Sequence, residues 1–363
     1  MKLNDLFKGK SYKDVTLKPF SYITPSLHTS LSVSLAFLCL QLILLSLTAS
    51  YKALCVVLFA SLASFCAEFL FNLIKKQSNV SLLTAFVQGI LIGMLLPENY
   101  PLIAVFFITF CSLLLCKYTF GGFAYSWANP VAVTVAVTFF LNTDFFPANP
   151  LSIENLQSRN VSLFLIQSGE VPIFPFDANV TSFFNKHIFS HFGVSVPEGY
   201  VSLFLDSGSS IPAFRFNALT LISSAFLIAF NMLDVLIPCI FLLVYAFLVR
   251  FISPSFVGGV QFQGDVILAL LTSGTLFSSI YILQWFGTTP LTFAGKCVYA
   301  VFAGLSAFLI LGVGLSSVGY VFMILILNVI SALIQVYESR QTKNKIERIL
   351  IPTLQSMKEL ENG

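Results

Sequence analysis

Ten apolar runs of roughly membrane-spanning length dominate this chain, at about 30–50, 53–74, 80–97, 101–117, 130–146, 217–234, 236–252, 265–285, 295–314 and 317–337. Crossing a hydrocarbon core of about 30 Å takes about 20 apolar residues, fewer where neighbouring helices bury the segment. A backbone in lipid must satisfy its own hydrogen bonds, so apolar runs of this kind can fold only as helices. Over 363 residues, 57% are hydrophobic and 10% charged. A soluble domain carries about 25% charged residues, so the expected class is an all-α polytopic membrane protein. The net charge of +3 is dispersed along the chain, which argues against nucleic acid as a partner.

Five runs precede a long central segment and five follow it. The expected organisation is a segment 1–29, a first five-helix half 30–146, a loop 147–216, a second five-helix half 217–337 and an amphipathic tail 338–363. Two five-helix halves around a loop are what an inverted repeat would give. Lys2, Lys8, Lys10, Lys13, Lys18, Lys75, Lys76, Lys117, Lys296, Arg340, Lys343, Lys345 and Arg348 then fall on one side, with Lys52 and Arg250 opposite. The positive-inside bias puts both termini in the cytoplasm and the long loop outside. Pro352 is expected to end or kink the tail helix. Within the loop, Val161–Leu165 is echoed by Val201–Leu205, a pattern that suits paired short strands or half-helices.

The stretch Lys117-Tyr118-Thr119-Phe120-Gly121-Gly122, followed by Asn129-Pro130, interrupts this regularity between two apolar runs. Paired glycines let a backbone or a flat ligand come close, and proline lacks the N–H that a helix interior needs. Irregular backbone at membrane depth survives only where protein buries it or it lines a cavity. Glu68 lies deep in the second run, and intramembrane acids default to functional candidates. It reads either as an ion-path ligand or as a residue paired with a neighbouring subunit. Asp234, near a helix end, reads as a cap or an interfacial acid. The seven cysteines form no CxxC pair and read as small buried thiols. His187 and His191 are four apart with no third His or Cys near, so no metal site is expected.

Several motifs occur in a shared order: Thr24-Pro25-Ser26-Leu27-His28, Leu83 to Leu96-Pro97, Lys117 to Gly122 with Asn129-Pro130-Val131-Ala132, and Pro290 to Lys296 running on to Asn328. Together they resemble the RnfD/NqrB family over nearly the whole chain. Its members are membrane components of the Rnf electron-transport complex and of the sodium-pumping NADH:quinone oxidoreductase. The resemblance implies a urea-channel-like fold in the bacterial cytoplasmic membrane. It implies a component that relays electrons through flavin between ferredoxin and NAD and couples them to Na+ or H+ transport. Its partners would be the other members of the complex, a flavin transferase and the lipid bilayer.

The resemblance also implies FMN, joined through its phosphate to a loop hydroxyl, with riboflavin or another second flavin as a further cofactor. Thr181, in Asp177-Ala178-Asn179-Val180-Thr181-Ser182, is the expected acceptor, and Ser210, in Ser207-Gly208-Ser209-Ser210, is the alternative. Gly121, Gly122, Asn129, Thr288 and Thr289 are the further expected cofactor contacts. The chain departs from the family at Trp285-Phe286-Gly287-Thr288-Thr289-Pro290, which lacks an aspartate the family carries there. Two other readings stay open: a small-solute channel, and a scaffold protein without flavin.

Overall fold

Helices begin here where the sequence can satisfy their first N–H groups. Ser26 accepts from Thr29 N and opens α1 (Leu27–Leu47). A tight turn through Ala49 leads into α2 (Tyr51–Lys75). The first set continues with α3 (Leu82–Leu95), α4 (Leu102–Leu113, running on as a π-turn Leu114–Tyr118) and α5 (Pro130–Leu141). The loop contributes α6 (Asp177–His187) and α7 (Tyr200–Leu205). Next come α8 (Asn217–Ala229), α9 (Leu236–Phe251), α10 (Val266–Thr272), α11 (Thr275–Tyr281), α12 (Phe293–Ala307, with a π-turn Phe308–Val313) and α13 (Gly319–Glu361). The computed structural model describes residues 25–75, 82–122, 127–147, 173–193, 195–252, 255, 262, 265–313 and 318–361, and among these no strand occurs.

The chain is an all-α, multi-pass membrane protein. Among the described residues, four helices are long and apolar enough to cross a bilayer: 27–47, 51–75, 293–311 and 319–348. Five more, 82–95, 102–118, 130–141, 217–229 and 236–251, are apolar but shorter. At 1.5 Å per residue, the 14 residues of α3 reach about 21 Å, too little for the hydrocarbon core alone. Burial by neighbours compensates: from Gln88 to Leu95 every residue of α3 is buried. Gly89 and Gly93, four apart on one face, permit this. A Cβ on Gly93 would lie 2.4 Å from Val57 Cα, and one on Gly89 2.4 Å from Ser61 Cα. α2 and α3 therefore touch backbone to backbone, as small residues allow in membranes.

Helix contacts repeat with an offset of five elements when the loop helices α6 and α7 are left out and α10 and α11 count as one. In the first set α2 packs on α3 and α4, α4 on α5, and α1 on α3. In the second, α9 packs on α12, α10 and α11, α12 on α13, and α8 on α11. The fourth long member of each set ends in a π-turn. The sets meet through α1 with α8 and through α5 with α13. At the first junction, Gln41 Nε2 donates to Thr220 Oγ1 at 3.1 Å.

Four sequence expectations change. The run 265–285 is not one span but two short helices, broken at Ser273–Gly274 where Gly274 has φ +70°. The tail is not a separate helix: α13 runs without a break from Gly319 to Glu361, through Pro352. Proline in mid-helix removes one hydrogen bond, and the turns on both sides carry the helix past it. None of the seven cysteines is buried: Cys39, Cys55, Cys111 and Cys239 are exposed and the other three half-exposed. A lipid-facing helix surface accepts a small apolar side chain as readily as a core does. The second copy of the loop echo is a helical turn within α7; the first copy lies outside the described residues.

Candidate functional site

The most concentrated chemistry lies where α2, α3 and the end of α4 converge. The π-turn Leu114–Tyr118 inserts an extra residue into the helical register, and such turns are common at functional sites. Here it turns both Lys117 and Tyr118 into the protein, at 1% and 6% exposure. Lys117 Nζ donates to Glu68 Oε2 at 3.0 Å, to Gln88 Oε1 at 2.8 Å and to Tyr118 Oη at 3.1 Å. Tyr118 Oη in turn donates to the same Glu68 oxygen at 2.5 Å. Asn72 Nδ2 donates to Glu68 O at 2.8 Å and lies 3.4 Å from Glu68 Oε1. The Phe71 ring closes one side, 4.8 Å from the Tyr118 ring centre.

Burying a charge costs on the order of several kcal/mol unless it is paired and hydrogen-bonded, and this pair is both. Glu68, open in sequence between an ion-path role and an inter-subunit partner, is paired within its own chain. Lys117, read from the sequence as a topology-setting charge and as the head of the glycine stretch, is its partner. The sequence signal that could have joined them is a deep acid, with a lysine beside the irregular glycine pair.

Gly121 and Gly122 follow directly, with φ of +110° and +106°. Gly122 N closes the turn onto Lys117 O at 3.1 Å. A side chain at either position would be strained, so this bend requires glycine. Asn129, expected to touch a cofactor, is fully buried and fully used by protein. Its Oδ1 accepts from Val131 N at 3.0 Å and Ala132 N at 3.4 Å, capping α5. Its Nδ2 donates to Ile282 O at 3.0 Å, tying the first set to the turn after α11. Thr288 Oγ1 is likewise spent on Trp285 O at 2.8 Å, and Thr289 O accepts from Gln335 Nε2 at 3.0 Å. Asn129 and the 282–289 turn are thus brought together, with their polar groups holding the frame.

Thr181 sits apart, in the loop. It is buried in α6 and donates to Asp177 Oδ1 at 2.9 Å. Asp177 also accepts from Gly199 N at 2.9 Å, Ser202 N at 2.7 Å and Ser202 Oγ at 2.6 Å. Burial alone would raise this carboxyl's pKa. The hydrogen bonds from Ser202, Gly199 and Thr181 outweigh burial and hold it below the ordinary carboxylate range. Thr181 is therefore part of a carboxylate knot joining α6 to α7, not the free hydroxyl expected from the sequence. Ser210 Oγ is buried with no hydrogen-bond partner among the described residues.

Asp234 does cap a helix: its Oδ1 accepts from Leu236 N at 3.0 Å at the start of α9. Its Oδ2 pairs with Lys296 Nζ at 2.6 Å. Burial pushes its pKa up, and the Lys296 hydrogen bond, the Leu236 N–H and the Lys296 charge together more than reverse that.

A sequence model of the NQR2, RnfD, RnfE family matches residues 15–344. No curated protein matches the chain. The family match spans nearly the whole chain, so the chain belongs to the NQR2, RnfD, RnfE family, and is a membrane subunit of an Na+/H+-translocating respiratory complex.

Proposed function

We propose that this family member is the component of an Rnf-type complex that relays electrons through FMN between ferredoxin and NAD, coupling them to Na+ or H+ movement. It would work in the bacterial cytoplasmic membrane, with both termini inside and the long loop outside. The observation that carries this reading is the family match across 15–344, which includes the Gly121-Gly122 and Asn129-Pro130 motifs. A flavin would supply the redox chemistry, while protein side chains set its position and surroundings.

Thr181 does not fit as the attachment point. Its hydroxyl is buried and committed, and a phosphate there would face the Asp177 carboxylate, 2.9 Å away. Ser210 fits better: its hydroxyl has no partner among the described residues, although it is covered. The glycine bend offers close approach without side chains, whereas Asn129 and Thr288 have their polar groups already engaged.

The test is in-gel flavin fluorescence on the denatured chain, expressed with its flavin transferase and the rest of the complex, followed by peptide mass spectrometry. An FMN-sized adduct on the peptide with Ser210 supports the relay and this attachment. An adduct on Thr181 keeps the relay and requires α6 to open during maturation. The absence of any adduct, beside a labelled positive control, removes the covalent relay. The sealed state of Thr181 favours that second reading, a scaffold that retains the membrane frame without covalent flavin.

A further inference from the structure

A buried polar ladder runs along the seam where the two helix sets meet. Gln41 on α1 donates from Nε2 to Thr220 Oγ1 on α8 at 3.1 Å. One turn along α8, Ser223 Oγ donates to Thr220 O at 2.7 Å and accepts from Tyr281 Oη, at the end of α11, at 2.8 Å. All four residues are buried, Gln41 at 1% exposure. Beyond Tyr281 the seam opens into a cleft of about 50 Å³, where Ser30, Ser34, Leu227 and Gln284 join Tyr281 in the lining. We propose that this seam holds water, forming a half-channel that leads from the Asp234–Lys296 end of the helices to Gln41, deep in the membrane.

Size and charge decide the occupant. A drug-sized or flat polycyclic ligand needs a pocket of about 300 Å³ or more, far beyond this cleft. A water needs roughly 10–15 Å³, so a few waters fit. No charged side chain is among the described residues that line it. A bare cation would therefore lie unpaired, and burying an unpaired charge is costly. Water is present at the mouth. Gln284 Oε1 accepts from Asp234 N at 3.0 Å and its Nε2 donates to Asp234 O at 2.7 Å. The side chains of Asp234 and its partner Lys296 are 34% and 28% exposed there.

The far end carries a second observation. Gln41 Oε1 is buried and has no hydrogen-bond partner among the described residues. A buried acceptor left unmade costs free energy, and a bound water supplies the donor. Ser30, Ser34, Leu38 and Gln41 fall on one face of α1 at helical spacing, about 16 Å from first to last. The ladder stops at Gln41. The next residues of the two faces, Leu45 on α1 and Phe216 at the head of α8, are apolar and at most 4% exposed. The path is thus open at one end only. Ser223 and Thr220 both donate to backbone carbonyls, so the ladder anchors water and does not itself relay protons. None of these residues belongs to the flavin reading, so the seam stands or falls independently of it.

X-ray hydroxyl-radical footprinting of the assembled complex provides the test, because radicals made from bound water oxidise the side chains that touch it. In the wild type, Tyr281 should be labelled about tenfold faster than Tyr245, a buried tyrosine away from the cleft. Leu38→Met, a volume-conserving exchange, sets a reporter between Ser34 and Gln41. Its thioether should be oxidised well ahead of Met323, which is 0% exposed. In that background Ser34→Phe fills the cleft and Gln41→Leu removes the far anchor. Each should bring oxidation at position 38 down to the Met323 rate. If the phenylalanine variant fails to assemble, Gln41→Leu and the wild-type comparison still decide. Equal labelling of Tyr281 and Tyr245, or oxidation at position 38 that neither variant slows, would overturn the half-channel.

Discussion

Replacing Asp177 by alanine should unlock the loop while leaving the membrane helices in place. The wild-type carboxylate accepts four hydrogen bonds, two of them from the backbone N–H groups of Gly199 and Ser202. Alanine leaves those two donors with no acceptor in a buried position, at about 1–3 kcal/mol each. The opening free energy of this region should therefore fall by at least about 2 kcal/mol. That corresponds to a loss of about thirtyfold in amide protection, at 1.36 kcal/mol per factor of ten. Hydrogen exchange read by mass spectrometry on the 199–205 peptide measures it, with peptides from α2 and α3 as the internal control.

The same node sets a pH dependence. Its carboxyl is depressed below the ordinary value of 3.8. The stability it contributes is thus complete above about pH 4 and is lost as pH falls through the lower folded value. Wild-type protection should hold from neutral pH to about 4 and then decline toward that of Asp177→Ala. Unchanged protection at 199–205 in the alanine variant, or a wild-type loss already complete at pH 5, would refute the reasoning.

Further substitutions probe the frame. Gly93→Leu drives a side chain into Val57, whose Cα lies 2.4 Å from the added Cβ. α2 and α3 must part, at about 1–3 kcal/mol for overpacking, and the Tm in detergent should fall. Glu338→Ala removes the carboxylate that accepts from Leu291 N and Thr292 N at 3.0 Å each. A loss of about 1–3 kcal/mol and faster exchange at 291–292 should follow. Asn129→Ala deletes the cap of α5 and the tie to Ile282 O, lowering stability by about 1 kcal/mol or more. Thermal unfolding followed by tryptophan fluorescence reports it, since Trp285 lies in the turn that follows Ile282.

Much of the candidate site was half legible. Glycines at 121 and 122 and Asn129-Pro130 announced irregular backbone, because only glycine accommodates the positive φ found there and proline starts α5 behind its cap. What that backbone serves was not legible. Asn129 looked like a cofactor contact and is a staple; Thr181 looked like a free hydroxyl and is locked to Asp177. Both residues are polar in either role, and what engages them is a partner distant in sequence, Ile282 for one and, through Asp177, Gly199 and Ser202 for the other.

The sequence by itself determined the class and the frame. Lipid leaves helices as the only structure for long uncharged runs, and hydropathy is a local property, readable without knowing any contact. Tertiary structure alone decided that Lys117 faces Glu68, 49 residues away, that the run 265–285 breaks in two, and that α3 is buried although too short to span. Each of these depends on which surfaces the fold removes from water or lipid. A charge costs or contributes according to the partner it meets there, and the order of residues along the chain does not contain that partner.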